Sequence, residues 1–256
     1  MVLVIIAVLC IVLSEYSRVI FFGIAGMVCV CELHTRLKEK GIHTTAWVMY
    51  VYLGIMVFLT LTHCGLMAYL AWFTGMVFTS LFSGILHRSV SGEGALYTLA
   101  GLSYPCFPFA LLMIISASNR WGITIALGAV SCALCDTFAL LGGKTFGKHK
   151  LAPDVSPNKT LEGTIIGALS SFLSAFLVYV FAKSHLNISY WQCLITSFCS
   201  SSMGQIGDLA ESLLKRFIGI KDFSNLIPGH GGLFDRADSM MFSIPTAYFC
   251  LYAMHF

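Results

Sequence analysis

Apolar positions along the chain come in continuous runs, neither in strict alternation nor as narrow stripes on polar helices. The runs lie near 2–14, 17–32, 45–62, 64–86, 95–117, 121–142, 161–183, 190–207 and 238–255, nine in all, and the longer polar segments are 33–44, 87–94, 143–160 and 208–237. Roughly 17–25 apolar residues cross a bilayer as a helix, and lipid admits only helices or closed barrels because an unpaired backbone group is costly in hydrocarbon. Barrel strands alternate, so the pattern predicts an all-α fold, a polytopic integral membrane protein of about nine transmembrane helices. The first run, MVLVIIAVLCIVL, has no basic residue before it and no clear small-residue cleavage site after it, which predicts a spanning helix instead of a removed signal peptide. No low-complexity linker breaks the chain, so it is read as one continuous membrane domain: scaffold helices over 1–94 and a catalytic region over 95–256.

Composition agrees with that reading. Hydrophobic residues make up 57% of the chain and charged residues 11%, with a mean hydropathy of +0.84, whereas soluble chains carry about 25% charged residues. The few charges are unevenly placed. Arg36, Lys38, Lys40, Arg88, Lys144, Lys148, Lys150, Lys159, Lys215, Arg216, Lys221 and Arg236, twelve of the fifteen Lys and Arg, follow even-numbered spans. Only Arg18, Arg120 and Lys183 fall on the opposite side. By the positive-inside rule, all four polar segments are expected at the cytoplasmic face, with both termini outside. The compact length without an N-terminal extension favours a bacterial inner (plasma) membrane. The ten cysteines lie almost wholly in apolar runs and are read as free thiols. Cys132 and Cys135 form a C-x-x-C beside Asp136, but within one apolar helix they lack the partners of a zinc or redox site.

Eight of the twelve acidic residues lie from Asp136 onward, so the first half reads as scaffold and the second as chemistry. Asp136 itself sits inside an apolar span, where a lone carboxylate is costly and marks either a functional site or an interhelical hydrogen bond. The loop after it, GGKTFGKHKLAPDVSPNKTLEG, mixes lysines and glycines. Its Gly-Gly-Lys-Thr is not a P-loop, because the required glycine position holds Phe138. Lys144 and Lys148 nevertheless suit phosphate, with a basic loop lying on anionic lipid as the alternative. In Ser156-Pro157-Asn158-Lys159-Thr160-Leu161-Glu162-Gly163, Thr160 is placed to cap the next helix and Gly163 to allow close backbone approach. Lys159 would disfavour a helix N-terminus unless an anion binds there. Asn158-Lys159-Thr160 is a glycosylation sequon, expected to be silent on the cytoplasmic side.

The densest charge lies over 208–238. On a helix, Asp208, Glu211, Ser212 and Lys215 recur at i, i+3, i+4 and i+7 and share one face. Arg216, Lys221 and Asp222 follow, then the turn Pro228-Gly229-His230-Gly231-Gly232, then Asp235, Arg236 and Asp238. Carboxylates suit Mg2+ and lysines beside them suit phosphates that bridge to it. A salt-bridge belt at the membrane boundary is the structural alternative.

Ser212-x-x-Lys215-Arg216, Lys221-Asp222 and Pro228-Gly229-His230-Gly231-Gly232-x-x-Asp235-Arg236-x-Asp238 resemble the signature of the phosphatidate cytidylyltransferases, the CDP-diacylglycerol synthases. Asp136, Gly147-Lys148 and the Ser156 to Gly163 stretch are similar to a second feature of that family, with Asn158 standing where many members carry a lysine. The resemblance covers about residues 95–256. It implies transfer of CMP from CTP to phosphatidic acid, with Mg2+ as cofactor, by a homodimer amid membrane lipids and with no nucleic-acid partner. It maps metal binding onto Asp208 and Asp235, and catalysis onto these with Lys215, Lys221 and Asp222. It maps nucleotide and phosphate binding onto Asp136, Lys144, Lys148, Ser156, Lys159, Thr160, Glu162, Arg216, His230, Gly231, Gly232, Arg236 and Asp238. Another CTP-dependent lipid enzyme, such as a polyprenol or phytol kinase, would share nucleotide features. An ion-coupled transporter would spread its charges through several helices near the midplane and carry inverted repeats, which this chain lacks.

Overall fold

The structure, a computed structural model, describes residues 14–86, 91–184, 186–226, 229 and 231–255. The predicted first span, but for residue 14, lies outside the described residues, as do Arg88, Pro228 and His230. The chain forms two compact units, residues 1–118 with 222–234, and residues 119–221 with 235–256.

The first unit is helical. Helix α1 (Glu15–Glu39) starts at a capping box, in which Ser14 Oγ accepts from the Ser17 N–H at 3.2 Å and Ser17 Oγ accepts from the Ser14 N–H at 3.0 Å. It packs on α2 (Ala46–Leu61), and α3 (Leu66–Leu86) and α4 (Gly92–Gly101) follow. The predicted span at 95–117 is not one straight helix. Between α4 and α5 (Phe107–Ser116) lies a π-helical turn, Leu102–Cys106, in which Tyr104 is extended at φ −154° and ψ 104°. Pro105 accounts for the break, since proline lacks a backbone donor and disfavours helical geometry in the residue before it. α5 returns against α1, where the buried Arg18 donates from Nε to the Ser116 carbonyl at 3.0 Å.

In the second unit, α6 (Trp121–Phe146) leads into an antiparallel hairpin of β1 (Lys150–Ala152) and β2 (Ser156–Thr160), with Lys150 opposite Thr160 and Ala152 opposite Ser156. The sequence reading treats 143–160 as irregular, and the structure corrects it at both ends. Helix α6 carries on to Phe146, and backbone pairing that hydropathy does not encode orders the rest. Then come α7 (Leu161–Leu169), α8 (Ser171–Ala182), α9 (Tyr190–Ile218), the short α10 (Phe234–Ala237) and α11 (Met240–Ala253). Thr160 caps α7 as predicted, its Oγ1 accepting from the Gly163 N–H at 3.2 Å. Gly163 lets α6 and α7 approach closely: a methyl there would sit 2.6 Å from the Ala139 carbonyl oxygen. α9 packs on α6, α8 and α11.

Among the described residues, five helical stretches are long and apolar enough to cross a membrane: Glu15–Glu39, Leu66–Ser83, Gly92–Ser116, Trp121–Phe146 and Leu161–Ala182. Ala46–Leu61 is a shorter apolar helix of 16 residues. This is an all-α membrane protein in class. The predicted runs at 190–207 and 238–255 are helical but fall outside the five, α9 because Ser, Gln and charged residues dilute it and α11 because it has only 14 residues.

Candidate functional site

The charged end of α9 organises the second unit. Asp208, Glu211 and Lys215 share a face, as the spacing predicts, and α9 runs past the expected end at 207 to Ile218. Lys215 Nζ lies 2.5 Å from Glu211 Oε2 and 3.1 Å from Asp235 Oδ1. Glu211 is fully buried, yet among the described residues neither of its carboxylate oxygens has a hydrogen bond of good geometry, so the lysine contact is a close ion pair. One carboxylate oxygen from each of Asp208, Glu211 and Asp238 lies within 4.8 Å of the others. Burial, with Asp238 as a negative neighbour, pushes the Glu211 carboxyl up to about 8. Such crowding is unfavourable in the bare protein, and hard oxygen donors of this kind suit a divalent cation of the Mg2+ class.

Beside this cluster is a cavity of about 510 Å³, a size typical of small-molecule sites. Its charged lining is Asp136, Lys144, Lys150, Lys159 and Asp208, set among glycines of α6 and α7. Lys159 Nζ pairs with Asp208 Oδ2 at 2.5 Å. Asp208 therefore belongs to both the cavity and the carboxylate cluster, and the glycines leave room for a ligand to approach the backbone.

The remaining predicted residues divide by what they touch. Thr160 lines the cavity as well as capping α7. Glu162 turns to the loop after α6: it accepts from the N–H of Lys148 at 3.1 Å and of His149 at 3.2 Å, and its Oε1 lies 2.7 Å from His149 Nδ1. Lys148 is thus held through its main chain. Ser156 opens β2 opposite Ala152 and is not among the residues lining the cavity. Arg216 donates from Nε to the Val155 carbonyl at 3.1 Å, tying α9 to the hairpin. Lys221, Asp222 and Arg236 are exposed, and His230 lies outside the described residues. Gly231 and Gly232 are in the first unit, Gly232 packed against Glu32. The resemblance assigns metal binding to Asp208 and Asp235; the structure sets Glu211 and Asp238 around Asp208, and sets Asp235 against Lys215.

Three residues carry more than sequence reasoning assigns them. Glu211 lies on the predicted helical face without a ligand role, and Gln205, which lines the cavity, has no charge to mark it. Glu32 had a usable signal, because it is an acid at the end of an apolar run, the same kind of signal that picks out Asp136.

The sequence profile of the cytidylyltransferase family matches residues 1–254. A protein of Staphylococcus epidermidis named phosphatidate cytidylyltransferase is 47% identical over 112 residues, 44% of this chain and 42% of the relative. Proteins of the same name from Staphylococcus haemolyticus and Staphylococcus aureus are 45% identical over 121 residues and 46% identical over 112 residues, covering 47% and 44% of this chain and 46% and 42% of the relatives. Each alignment thus spans less than half the length of the curated relative.

Proposed function

The chain belongs to the cytidylyltransferase family, and on that premise we propose that it transfers CMP from CTP to phosphatidic acid, giving CDP-diacylglycerol and pyrophosphate. The observation that carries the proposal is the meeting, at the half-buried Asp208, of a lysine-lined cavity with a cluster of three carboxylates. Nucleotide phosphates and a divalent cation need those two environments side by side.

The chemistry follows from charge. A phosphate oxygen of phosphatidate attacks the α-phosphorus of CTP, the new P–O bond forms, and the bond to the β-phosphate bridging oxygen breaks, its electrons leaving with pyrophosphate. Attacker and target are both anions, so their repulsion must be cancelled before displacement can occur. Lys144, Lys150 and Lys159 line the cavity and supply positive charge to the triphosphate. Lys159 releases Asp208 as it takes up a phosphate, leaving that carboxylate to the cluster. Lys215, held between Glu211 and Asp235, balances part of their negative charge. Asp208, Glu211 and Asp238 would hold Mg2+, which when bound neutralises phosphate charge and stabilises the leaving pyrophosphate. No strong base is required, because a phosphate monoester is already an oxyanion near neutral pH.

The test is an assay of purified protein with CTP labelled in the cytidine moiety, Mg2+ and phosphatidate vesicles. Label is expected in the lipid phase and unlabelled pyrophosphate in the water. Label from γ-phosphate of CTP appearing on a polyprenol, with none of the cytidine label in lipid, would instead indicate a kinase. The Lys and Arg distribution further supports nine spans with the site facing the cytoplasm, the bacterial relatives support a bacterial inner membrane, and the family resemblance supports a homodimer. Single reporter cysteines at 148 and 221, in a background whose native thiols are replaced, should then react only from the cytoplasmic side.

A further inference from the structure

Glu32 and Arg36 lie one turn apart on α1 and grip the segment 222–234 through groups of opposite polarity. Arg36 Nε donates to the Phe223 carbonyl at 2.6 Å. Glu32, only 7% exposed, accepts from Ser224 Oγ at 2.6 Å and from the Leu233 N–H at 3.0 Å on Oε1, and from the Phe234 N–H at 2.8 Å on Oε2. One carboxylate thereby joins the two ends of a loop whose partners lie about two hundred residues away in sequence. Aromatic packing marks the same two ends. Phe223 and Phe234 are buried with ring centroids 4.5 Å apart, and Tyr104 packs on Phe234 at 5.2 Å.

Gly232 makes the fit specific. A methyl group on it would lie 2.6 Å from Glu32 Oε1 and 2.8 Å from Oε2, so the loop backbone reaches the carboxylate only because residue 232 has no side chain. A salt bridge would tolerate such bulk by rotating. A carboxylate receiving two backbone amides and a hydroxyl cannot, since each bond fixes its plane.

We propose that Glu32 is a positioning residue: with Arg36 it clamps residues 223–224 and 232–234 and so sets the point from which the chain enters Asp235 and Asp238. Phe234, whose amide Glu32 accepts, is bonded directly to Asp235. The clamp acts through the chain it holds, mostly through backbone groups. Its contribution is to keep the start of the acidic turn in one conformation, which matters because small displacements of catalytic groups cost large factors in rate. Gly231-Gly232 in the signature would then serve the clamp and not the nucleotide. This inference rests on the cytidylyltransferase reading for its kinetic consequence, and on the geometry alone for its structural one.

The experiment uses the full-length protein in detergent and two variants, Glu32→Gln and Gly232→Ala. Glutamine keeps the size of Glu32 but must turn an amide donor toward one of three donors, whereas alanine at 232 leaves Glu32 intact and displaces its carboxylate. Hydrogen exchange of the amides over 222–234 is expected to rise at least tenfold in both, with exchange in the middle of α1 unchanged. The kcat for CDP-diacylglycerol formation should fall about tenfold or more while KM for CTP moves less than twofold, and the double variant should be no worse than either single one within twofold. Normal kcat despite a loosened loop overturns the positioning role, and unchanged loop exchange overturns the clamp itself. If both variants lose the fold while Arg36→Lys keeps it, Glu32 serves general stability and the proposal is also overturned. A wild-type protein that makes no lipid-soluble cytidine product refutes the enzymatic reading instead, and the exchange measurement still decides the clamp.

Discussion

Glu32 and Glu211 are both buried glutamates on long helices, and their surroundings are opposite. Glu32 accepts on both oxygens, from the Ser224 hydroxyl and from the Leu233 and Phe234 amides. Among the described residues Glu211 has an ion-paired lysine without a hydrogen bond of good geometry, and carboxylate oxygens of Asp208 and Asp238 within 4.8 Å. A carboxylate whose two oxygens both accept directed bonds from the protein is suited to hold what donates to it. A carboxylate left crowded by like charges has surplus negative field that the bare protein does not neutralise. Burial alone does not tell the two apart; the partner list does.

The largest effect expected from breaking the contrast is at the cluster. Asp208→Asn keeps size but removes charge where a cation and a phosphate would meet, and should lower the rate about a hundredfold, a loss of about 3 kcal/mol in transition-state stabilisation. The same loss is expected for Asp235→Asn, with the double variant little worse than either, because residues acting as one unit are not additive. Activity titrated against Mg2+ in monodisperse protein is the measurement, and a wild-type rate with a wild-type Mg2+ response in Asp208→Asn would remove the cluster from catalysis.

Next in size, Lys159→Ala should raise KM for CTP by ~10-fold, equivalent to about 1.4 kcal/mol, whereas Lys38→Ala and Lys40→Ala change it less than twofold. Equal losses at all three positions would mean general attraction to anionic lipid.

The contrast itself is sharpened by thermal unfolding without Mg2+. Glu32→Gln leaves a donor facing a donor and should cost about 1–3 kcal/mol, a fall of a few degrees in a chain of this size. Glu211→Gln relieves like-charge crowding and should leave the midpoint unchanged or raise it. A larger fall for Glu211→Gln than for Glu32→Gln would reverse the assignment of the two glutamates. The smallest effect is expected at Glu162→Gln, which loosens an exposed loop: faster amide exchange at Lys148 and His149, with less than a twofold change in rate.

Much of the second unit's side-chain geometry was readable because it is local. Asp208, Glu211 and Lys215 share a helical face by spacing alone, and Thr160 caps its helix through a residue three positions away. The hairpin at 150–160 was not readable, since its short strands hold no hydrophobic alternation. Asp238 could be placed near the active segment by the signature, but not beside Glu211 in a three-carboxylate cluster. Glu32 stood in the sequence as an unexplained acid, and the span broken at Tyr104 looked continuous because hydropathy does not register where a backbone bends.

By itself the sequence determined the helical membrane class, the second-half concentration of acids and the charged face of α9. Hydropathy acts residue by residue and helical neighbours recur every three or four positions, so such properties survive without knowledge of distant partners. Tertiary structure alone decided which acids are satisfied and which are crowded. Lys159 meets Asp208 and Glu32 meets Phe234 only after the intervening chain has folded. A carboxylate's role depends on whether donors or other carboxylates arrive beside it, and that depends on chain paths that no local pattern contains.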